Sequence, residues 1–367
     1  MKKIRTLTVI GTRPEATKLV PLVLAQTADP RIECKVLVSA QHRQLLDQVL
    51  ALFGIKPDHD FDIMTEGQTL TDVTARVLRG FKPVFEKEKP DVLLVQGDTA
   101  TTFASALAAF YAGVRVGHVE AGLRTHDKHR PYPEEMNRRL VAALADYHFA
   151  PTELSRRNLL KENVPEKDIF VTGNTAIDML KHTRRETFNH AQLNGLDFSK
   201  RLVIVTAHRR ENWGGPMEEI CGAVQRLAER FPDALVVWPV HPGKAVKDTV
   251  ERRLAGRERI ALVPPLDVFD MHGLMRRAAL CLTDSGGLQE EAPSFDLPVV
   301  VLRDVTERPE GVECGALALG GTRADSIFAQ AERLLADEEA HRKMAAAKNP
   351  YGDGNACERI VDAICLG

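Results

Sequence analysis

Short, almost uninterrupted apolar runs recur along this chain, and each is followed by a longer stretch with helical spacing of its apolar residues. In the first half the runs are Leu7 to Ile10, Cys34 to Val38, Val92 to Gln96, Val114 to Val119, Tyr147 to Phe149 and Ile169 to Thr172. In the second half they are Leu202 to Thr206, Ala234 to Val240, Ile260 to Val263, Ala279 to Thr283, Val299 to Leu302 and Ala316 to Leu319. A strand that is apolar throughout, rather than at alternate positions, is covered on both faces. Alternation of such strands with helices therefore predicts parallel sheets sandwiched between helices. Six runs in each half predict an α/β protein of two Rossmann-like domains.

A length of 367 residues is more than one ordinary core accommodates, which agrees with two domains. The boundary is expected after Gly173-Asn174-Thr175, ahead of the charged, weakly apolar stretch Lys181 to Lys200. Near the other end, Asn349-Pro350-Tyr351-Gly352-Asp353-Gly354 is a strong breaker, and Ala356 to Cys365 regains helical spacing. The division expected is residues 1–173 plus 356–367, the last a helix crossing back to the first domain, and residues 174–355. No repeats or low-complexity segments occur.

Ligands of open α/β sheets bind beyond the carboxyl ends of the strands, and the polar signatures of this chain follow its strands. Gly11-Thr12-Arg13-Pro14-Glu15, Gln96-Gly97-Asp98-Thr99 and Glu120-Ala121-Gly122-Leu123-Arg124 do so in the first half. Ala207-His208-Arg209-Arg210, His241-Pro242-Gly243 and Ser285 do so in the second. Two domains facing across one cleft would use both sets.

The most informative segment is Thr283-Asp284-Ser285-Gly286-Gly287-Leu288-Gln289-Glu290-Glu291-Ala292-Pro293, which follows an apolar run. Outward N–H groups at a helix start suit a phosphate, and Gly286 and Gly287 let it approach the backbone closely. Glu291, a turn later, is placed to accept from sugar hydroxyls. A nucleotide diphosphate is the ligand this pattern implies. Arg13, Lys18 and Arg308 are the cations that could neutralise it, and His208 is a phosphate or acid–base group. Asp98, Glu120 and Glu134 are the carboxylates available for moving a proton. Several have a plainer alternative: Asp98 as a cap on the helix from Thr99, Glu134 and Glu135 as dipole partners in a first turn, His208 as a structural histidine, Lys18 as a solvated helix position; Glu120, a charge at a strand end beside small residues, has less.

Composition removes several classes. Hydrophobic content of 44%, charged content of 27% and a formal net charge of -2 give no field for nucleic acid or anionic membranes. No apolar run approaches the ~20 residues of a membrane span. The basic Met1-Lys2-Lys3-Ile4-Arg5 start is followed by too short an apolar stretch for a secretory signal, so a cytoplasmic location is expected. Six cysteines without a Cys-x-x-Cys pair read as reduced, buried thiols. No Gly-x-Gly-x-x-Gly follows the first strand of either half and no Walker-type Gly-Lys-Ser/Thr occurs, which speaks against bound NAD or ATP. His126, Asp127 and His129 lack metal-ligand spacing, and no metal is expected.

In this order and over nearly the whole length, the segments closely resemble the non-hydrolysing UDP-N-acetylglucosamine 2-epimerases. The resemblance rests on Gly11-Thr12-Arg13-Pro14-Glu15-Ala16, Ala40-Gln41-His42-Arg43, Gly97-Asp98-Thr99, Gly117 to Thr125 and Pro133-Glu134-Glu135-Met136-Asn137-Arg138. It continues through Thr206-Ala207-His208-Arg209-Arg210-Glu211-Asn212, the Ser285-Gly286-Gly287 segment, Arg303 to Glu310 and Asn349 to Gly354. It implies a fold of the glycosyltransferase-B type with UDP-sugar in the interdomain cleft, no cofactor, and a homodimer. The implied reaction is reversible inversion at C2 of UDP-N-acetylglucosamine, giving UDP-N-acetylmannosamine for cell-surface polysaccharide. UDP is eliminated, 2-acetamidoglucal stays bound, and UDP re-adds. The resemblance makes Asp98, Glu120 and Glu134 the acid–base set, with His208 at the diphosphate. Arg13, Lys18, Arg138, His241, Met271, Ser285, Gly286, Gly287, Glu291 and Arg308 become substrate-binding.

Some bacterial relatives also bind a second UDP-N-acetylglucosamine as an activator. Gln41, His42, Gln44, Gln68 and Arg209 fit that allosteric site, as do Glu134 and His241, while Gly67 stands where those relatives carry Arg. A further departure is His241-Pro242-Gly243-Lys244, where relatives often have Asn-Pro after the His. Three other readings stay open: a hydrolysing epimerase, a UDP-sugar-dependent glycosyltransferase of the same fold, and a non-catalytic UDP-sugar sensor.

Overall fold

The computed structural model describes residues 2–39, 43–65 and 67–366, without the side chains of 43–45. The chain forms two compact units, Met1–His182 with Tyr351–Gly367, and Thr183–Pro350. The first holds a seven-stranded sheet of β1 (Ile4–Ile10), β2 (Ile32–Val38), β3 (His59–Asp60), β4 (Val92–Gln96), β5 (Arg115–Val119), β6 (Tyr147–Ala150) and β7 (Ile169–Val171). Its spatial order is β3-β2-β1-β4-β5-β6-β7, parallel throughout. The second unit holds a six-stranded sheet of β8 (Arg201–Thr206), β9 (Ala234–Pro239), β10 (Ile260–Val263), β11 (Ala278–Thr283), β12 (Val299–Val301) and β13 (Leu317–Leu319). Its order is β10-β9-β8-β11-β12-β13, again all parallel.

The expected α/β class is therefore observed, with one strand more than the apolar runs indicate. That strand, β3, is only His59–Asp60 and carries no apolar residue, so periodicity has nothing to detect.

The second sheet shows why its strands read as continuous apolar runs. Val203, Val205, Val236, Trp238, Leu280 and Leu282 enter one core. Leu202, Ile204, Leu235, Val237 and Cys281, their neighbours in sequence, enter another. Successive side chains of a strand point to opposite faces, so two cores on one sheet demand apolar residues at every position.

In each sheet the strand order reverses once. In the first unit the reversal lies between β1 and β4, and in the second between β8 and β11. Helices leave opposite faces there, and the loops beyond the strand ends splay apart and leave a crevice. Thr206 at the end of β8 pairs with Thr283 at the end of β11, and their hydroxyls lie 2.6 Å apart. That register sets the His208 loop beside Asp284 and Ser285.

The division between units falls after His182 rather than after Gly173-Asn174-Thr175, and the return begins at Tyr351 rather than at residue 356. The reason is local. The Asp178 carboxylate, on the helix Thr175–Met179, accepts from Ala356 N at 3.1 Å and Cys357 N at 2.9 Å, at the start of the final helix Ala356–Leu366. Tyr351 is buried, and its carbonyl accepts from Asn174 N at 2.7 Å. The final helix packs on the helix Arg13–Ala28. Among the described residues no helix is long and apolar enough to cross a membrane.

Candidate active site

In the first unit the loops after β1 and β4 are joined by one buried carboxylate. Thr12 caps the helix Arg13–Ala28, and Glu15 completes a capping box. Glu15 accepts from the backbone N–H of Gly11 and, at 2.8 Å, of Thr12. It also accepts from the hydroxyls of Thr99 at 2.6 Å and Thr102 at 3.2 Å. Burial raises its pKa, and these four donors oppose that rise. Glu15 thereby locks the Arg13 loop to the residue after Asp98.

Asp98 does not cap the next helix. Thr99 does, accepting from Thr102 N. The Asp98 side chain pairs instead with Arg138, Nη2 to Oδ2 at 2.6 Å, and its carbonyl accepts from Asn137 Nδ2 at 2.8 Å. Both partners lie on the helix Glu134–Leu144. Burial works against the Arg138 charge, but Asp98, Glu120 and Glu135 outweigh it and raise the Arg138 pKa.

Glu120 follows β5 with φ at +65°, an αL backbone uncommon for a residue with a side chain. The turn continues through Gly122, φ +88°, where a Cβ would collide with the Ser155 carbonyl. This tight turn points Glu120 to Lys18, with which it forms an ion pair, and to Asn174 Nδ2 at 3.2 Å. Lys18 is thus no solvated helix position. Glu134 and Glu135 share a first turn and diverge in role. Glu135 is fully buried and accepts from Thr125 N at 3.0 Å and His126 N at 3.1 Å, which holds the loop before the helix. Glu134 keeps a buried Oε2 that has no hydrogen-bond partner among the described residues, the condition of a group awaiting a ligand.

In the second unit Ser285 precedes the short helix Gly286–Glu291, and its own N–H donates to Thr283 Oγ1 at 2.9 Å. Arg308 reaches this helix start. A Cβ on Gly286 would lie 2.5–2.7 Å from the guanidinium, so Gly286 makes room for a cation as well as for any anion. Glu290, 2% exposed, holds Arg308 through Nε at 2.8 Å and Nη2 at 2.6 Å. Glu291 faces the buried His272, Nε2 to Oε2 at 3.2 Å, and the half-buried Met271 stands on the same helix, Val268–Met275.

His208 Nδ1 lies 3.3 Å from Asp284 Oδ1, and its ring stacks on His241 with centroids 5.7 Å apart. Burial lowers the His208 pKa. Asp284 opposes this, and His241 and Arg209 add to it. Arg209 reaches Glu307 at 3.4 Å. Burial would raise the Glu307 carboxyl, but the Arg303 hydrogen bond and the charges of Arg209, Arg303 and Arg308 hold it at about 2.

Arg13, Lys18, Asp98, Glu120, Glu134 and Arg138 thus fall in the first unit, and His208, Arg209, His241, Met271, Ser285, Gly286, Gly287, Glu291 and Arg308 in the second. Of the allosteric set, Gln68 belongs to the first unit, where its Oε1 accepts from Thr65 N at 3.3 Å, and Arg209 to the second. Gln41, His42 and the Gln44 side chain lie outside the described residues. The residues overlooked in sequence are the buried acids and amides behind these groups: Glu15, Glu290, Asn137, Asn174 and Asp284. Only Glu15 carried a local signal, the capping-box spacing from Thr12. Among the described residues no group of His, Cys, Asp or Glu could hold a metal ion. The cysteines are free, and Cys314 is exposed rather than buried.

The sequence model of the UDP-N-acetylglucosamine 2-epimerase family matches residues 25–365. The chain belongs to that family. It is 53% identical over 368 residues to the UDP-N-acetylglucosamine 2-epimerase of Yersinia pestis, covering 98% of each chain. It is 51% identical over 364 residues to that of Bacillus subtilis, covering 99% of this chain and 96% of the other. Among solved structures, UDP-GlcNAc 2-epimerase from Neisseria meningitidis, bound to UDP-GlcNAc, superposes with a TM-score of 0.91 at 41% identity, covering 99% of this chain and all of that one. Solved epimerases of this family have a glycosyltransferase-B-like fold, in agreement with two parallel-sheet α/β units.

Proposed function

We propose that this epimerase-family chain inverts C2 of UDP-N-acetylglucosamine by eliminating UDP and adding it back, without hydrolysis. The observation that carries the reading is the set of carboxylates at the strand ends of the first unit. Asp98 and Glu120 are each paired with a cation, and Glu134 keeps an unsatisfied buried oxygen. The C2 proton of the sugar is not acidic in the ground state. As the C1–O bond breaks, UDP takes the bonding pair and positive charge grows on the ring, which makes that proton removable. One carboxylate takes it, and the C1–C2 double bond of 2-acetamidoglucal forms. Inversion then needs a proton delivered to the opposite face by a second acid, so more than one carboxylate is required. Departing UDP is stabilised by Arg308, His208 and the Ser285-Gly286-Gly287 start. Glu291 and Met271 contact the nucleoside and sugar. No step calls for a redox cofactor.

The chain acts in the cytoplasm as a homodimer, and its product supplies N-acetylmannosamine units for surface polysaccharide. UDP-N-acetylglucosamine also activates it through Gln41, His42, Gln44, Gln68 and Arg209, weakly, because Gly67 offers no side chain. The decisive experiment is incubation with UDP-N-acetylglucosamine in deuterated water, followed by NMR. UDP-N-acetylmannosamine deuterated at C2, without free sugar, is expected. Free N-acetylmannosamine plus UDP would move the chain to the hydrolysing class, and undeuterated substrate would leave a transferase or a sensor.

A further inference from the structure

The Asp284 side chain performs two separable tasks, one with each oxygen. It is completely buried. Three donors converge on Oδ2: the backbone N–H of His208 at 2.8 Å, that of Arg209 at 2.9 Å, and Asn212 Nδ2 at 2.9 Å. These fix the loop after β8, and Asn212 also donates to the Leu302 carbonyl at 3.1 Å, which ties the cluster to the end of β12. Oδ1 has no part in this. It is buried and makes no hydrogen bond among the described residues by ordinary geometry, yet His208 Nδ1 stands 3.3 Å away.

We propose that Asp284 is a positioning residue that assigns His208 its tautomer, with the proton on Nδ1, and so reserves Nε2 for proton exchange with the diphosphate of the substrate. The physical reason is elementary. A buried carboxylate oxygen facing a ring nitrogen is stabilised if that nitrogen bears a proton and repelled if it bears a lone pair. Neutral imidazole has one N–H, so placing it at Nδ1 leaves Nε2 as the basic nitrogen. In the forward reaction Nε2 first takes a proton from solvent to give the imidazolium, donates it to a phosphate oxygen as UDP departs and is left as the neutral Nδ1–H ring, and in re-addition the same nitrogen accepts the proton back. The ring also meets Arg209 and His241, which disfavour the imidazolium, whereas Asp284 favours it. The backbone contacts alone would make Asp284 a loop brace. The second oxygen goes beyond bracing.

The proposal rests on His208 acting at the diphosphate, and the test separates the two claims. In the full chain labelled with 15N-histidine, His208 resonances are assigned by comparison with His208→Gln. Ring-nitrogen shifts are then followed against pH without ligand. The neutral Nδ1–H form is expected for the wild type. Asp284→Asn keeps an oxygen for the loop donors but turns an amide N–H toward Nδ1. It should switch the ring to Nε2–H, lower the pH at which His208 protonates, and cut kcat roughly 10²-fold with a displaced pH profile. A wild-type ring protonated at Nε2 overturns the proposal. So does an Asp284→Asn protein with unchanged tautomer and pH profile, whatever its activity. Should that variant fail to fold, Asn212→Ala serves: it removes a donor from Oδ2 alone, so the proton must remain on Nδ1, and a switch would refute the division of labour. The tautomer is read without substrate, so absence of deuterium exchange at C2 would fail the functional reading and leave the placement of the proton standing.

Discussion

The two units share one winding but bury their ion pairs differently. In each the strand order reverses once, between β1 and β4 or between β8 and β11, and the Arg13 and Asp98 loops or the His208 and Asp284 loops follow the strands that flank the reversal. In the second unit Arg308, Arg209 and the His208 ring are each backed by an acid buried more deeply than themselves. Glu290 at 2% holds Arg308 at 12%, Asp284 at 0% faces His208 at 41%, and Glu307 at 23% holds Arg209 at 32%. The buried member is fixed and the outer one is presented. In the first unit the order is mixed: Glu120 at 9% lies deeper than Lys18 at 14%, whereas Asp98 at 25% lies outside Arg138 at 13%. Glu134 has an oxygen with no partner among the described residues. The lesson is that two sheets of the same winding can differ in which member of an ion pair is held inside, uniformly the acid behind Arg308 and Arg209 but not in the pairs of Asp98 and Glu120.

The comparison breaks most sharply if the roles are exchanged. Asp98→Asn and Glu120→Gln should each lower kcat by roughly 10²–10⁴-fold, with UDP affinity changed less than about threefold. Deuterium wash-in at C2 and calorimetric titration with UDP would measure the two effects. A variant that lost UDP binding in proportion would place the carboxylate with the diphosphate instead. Next in size is Arg308→Ala, which leaves Glu290 buried without its guanidinium. UDP affinity should fall at least tenfold, and stability by about 3 kcal/mol, read from denaturant unfolding. Gly286→Ala sharpens the same point more gently. Its Cβ forces the guanidinium aside, so KM for the nucleotide sugar should rise several-fold while the melting temperature scarcely moves.

Acid should distinguish the units through stability. Burial pushes His118 down to about 3 and His148 down to about 4, and both lie in the first unit. Each is neutral when folded at pH 5, whereas in the unfolded chain it takes up a proton below about 6.5. The unfolded state therefore binds more protons, and stability is lost as pH falls from about 6.5 toward 4. The loss is about 2 kcal/mol for each histidine at pH 5. Thermal unfolding between pH 5 and 8 measures it, and His148→Gln should flatten the dependence if the side chain is the cause.

Much of this architecture was legible because burial on both faces writes itself into the chain as unbroken apolar runs. The strand ends were legible for the same reason, since a polar cluster directly after such a run marks the rim of a sheet. What stayed open was what each polar residue touches. The plainer alternative for Asp98, a helix cap, fails because Thr99 does the capping and Asp98 meets Arg138. The solvated alternative for Lys18 fails because the αL turn at Glu120 brings a carboxylate to it. The strand β3 left no trace, because a pairing of two residues needs no apolar pattern.

The sequence by itself determined the class of fold, the positions of the loops and the inventory of charged groups, because these follow from local periodicity and residue chemistry. Only the tertiary structure decided which charges are partners. Asp284 meets His208, Glu290 meets Arg308, and Glu15 meets Thr99 and Thr102 across separations that no local pattern spans. Those meetings are set by strand order, which depends on packing of the whole sheet and brings loops far apart in sequence to one sheet edge.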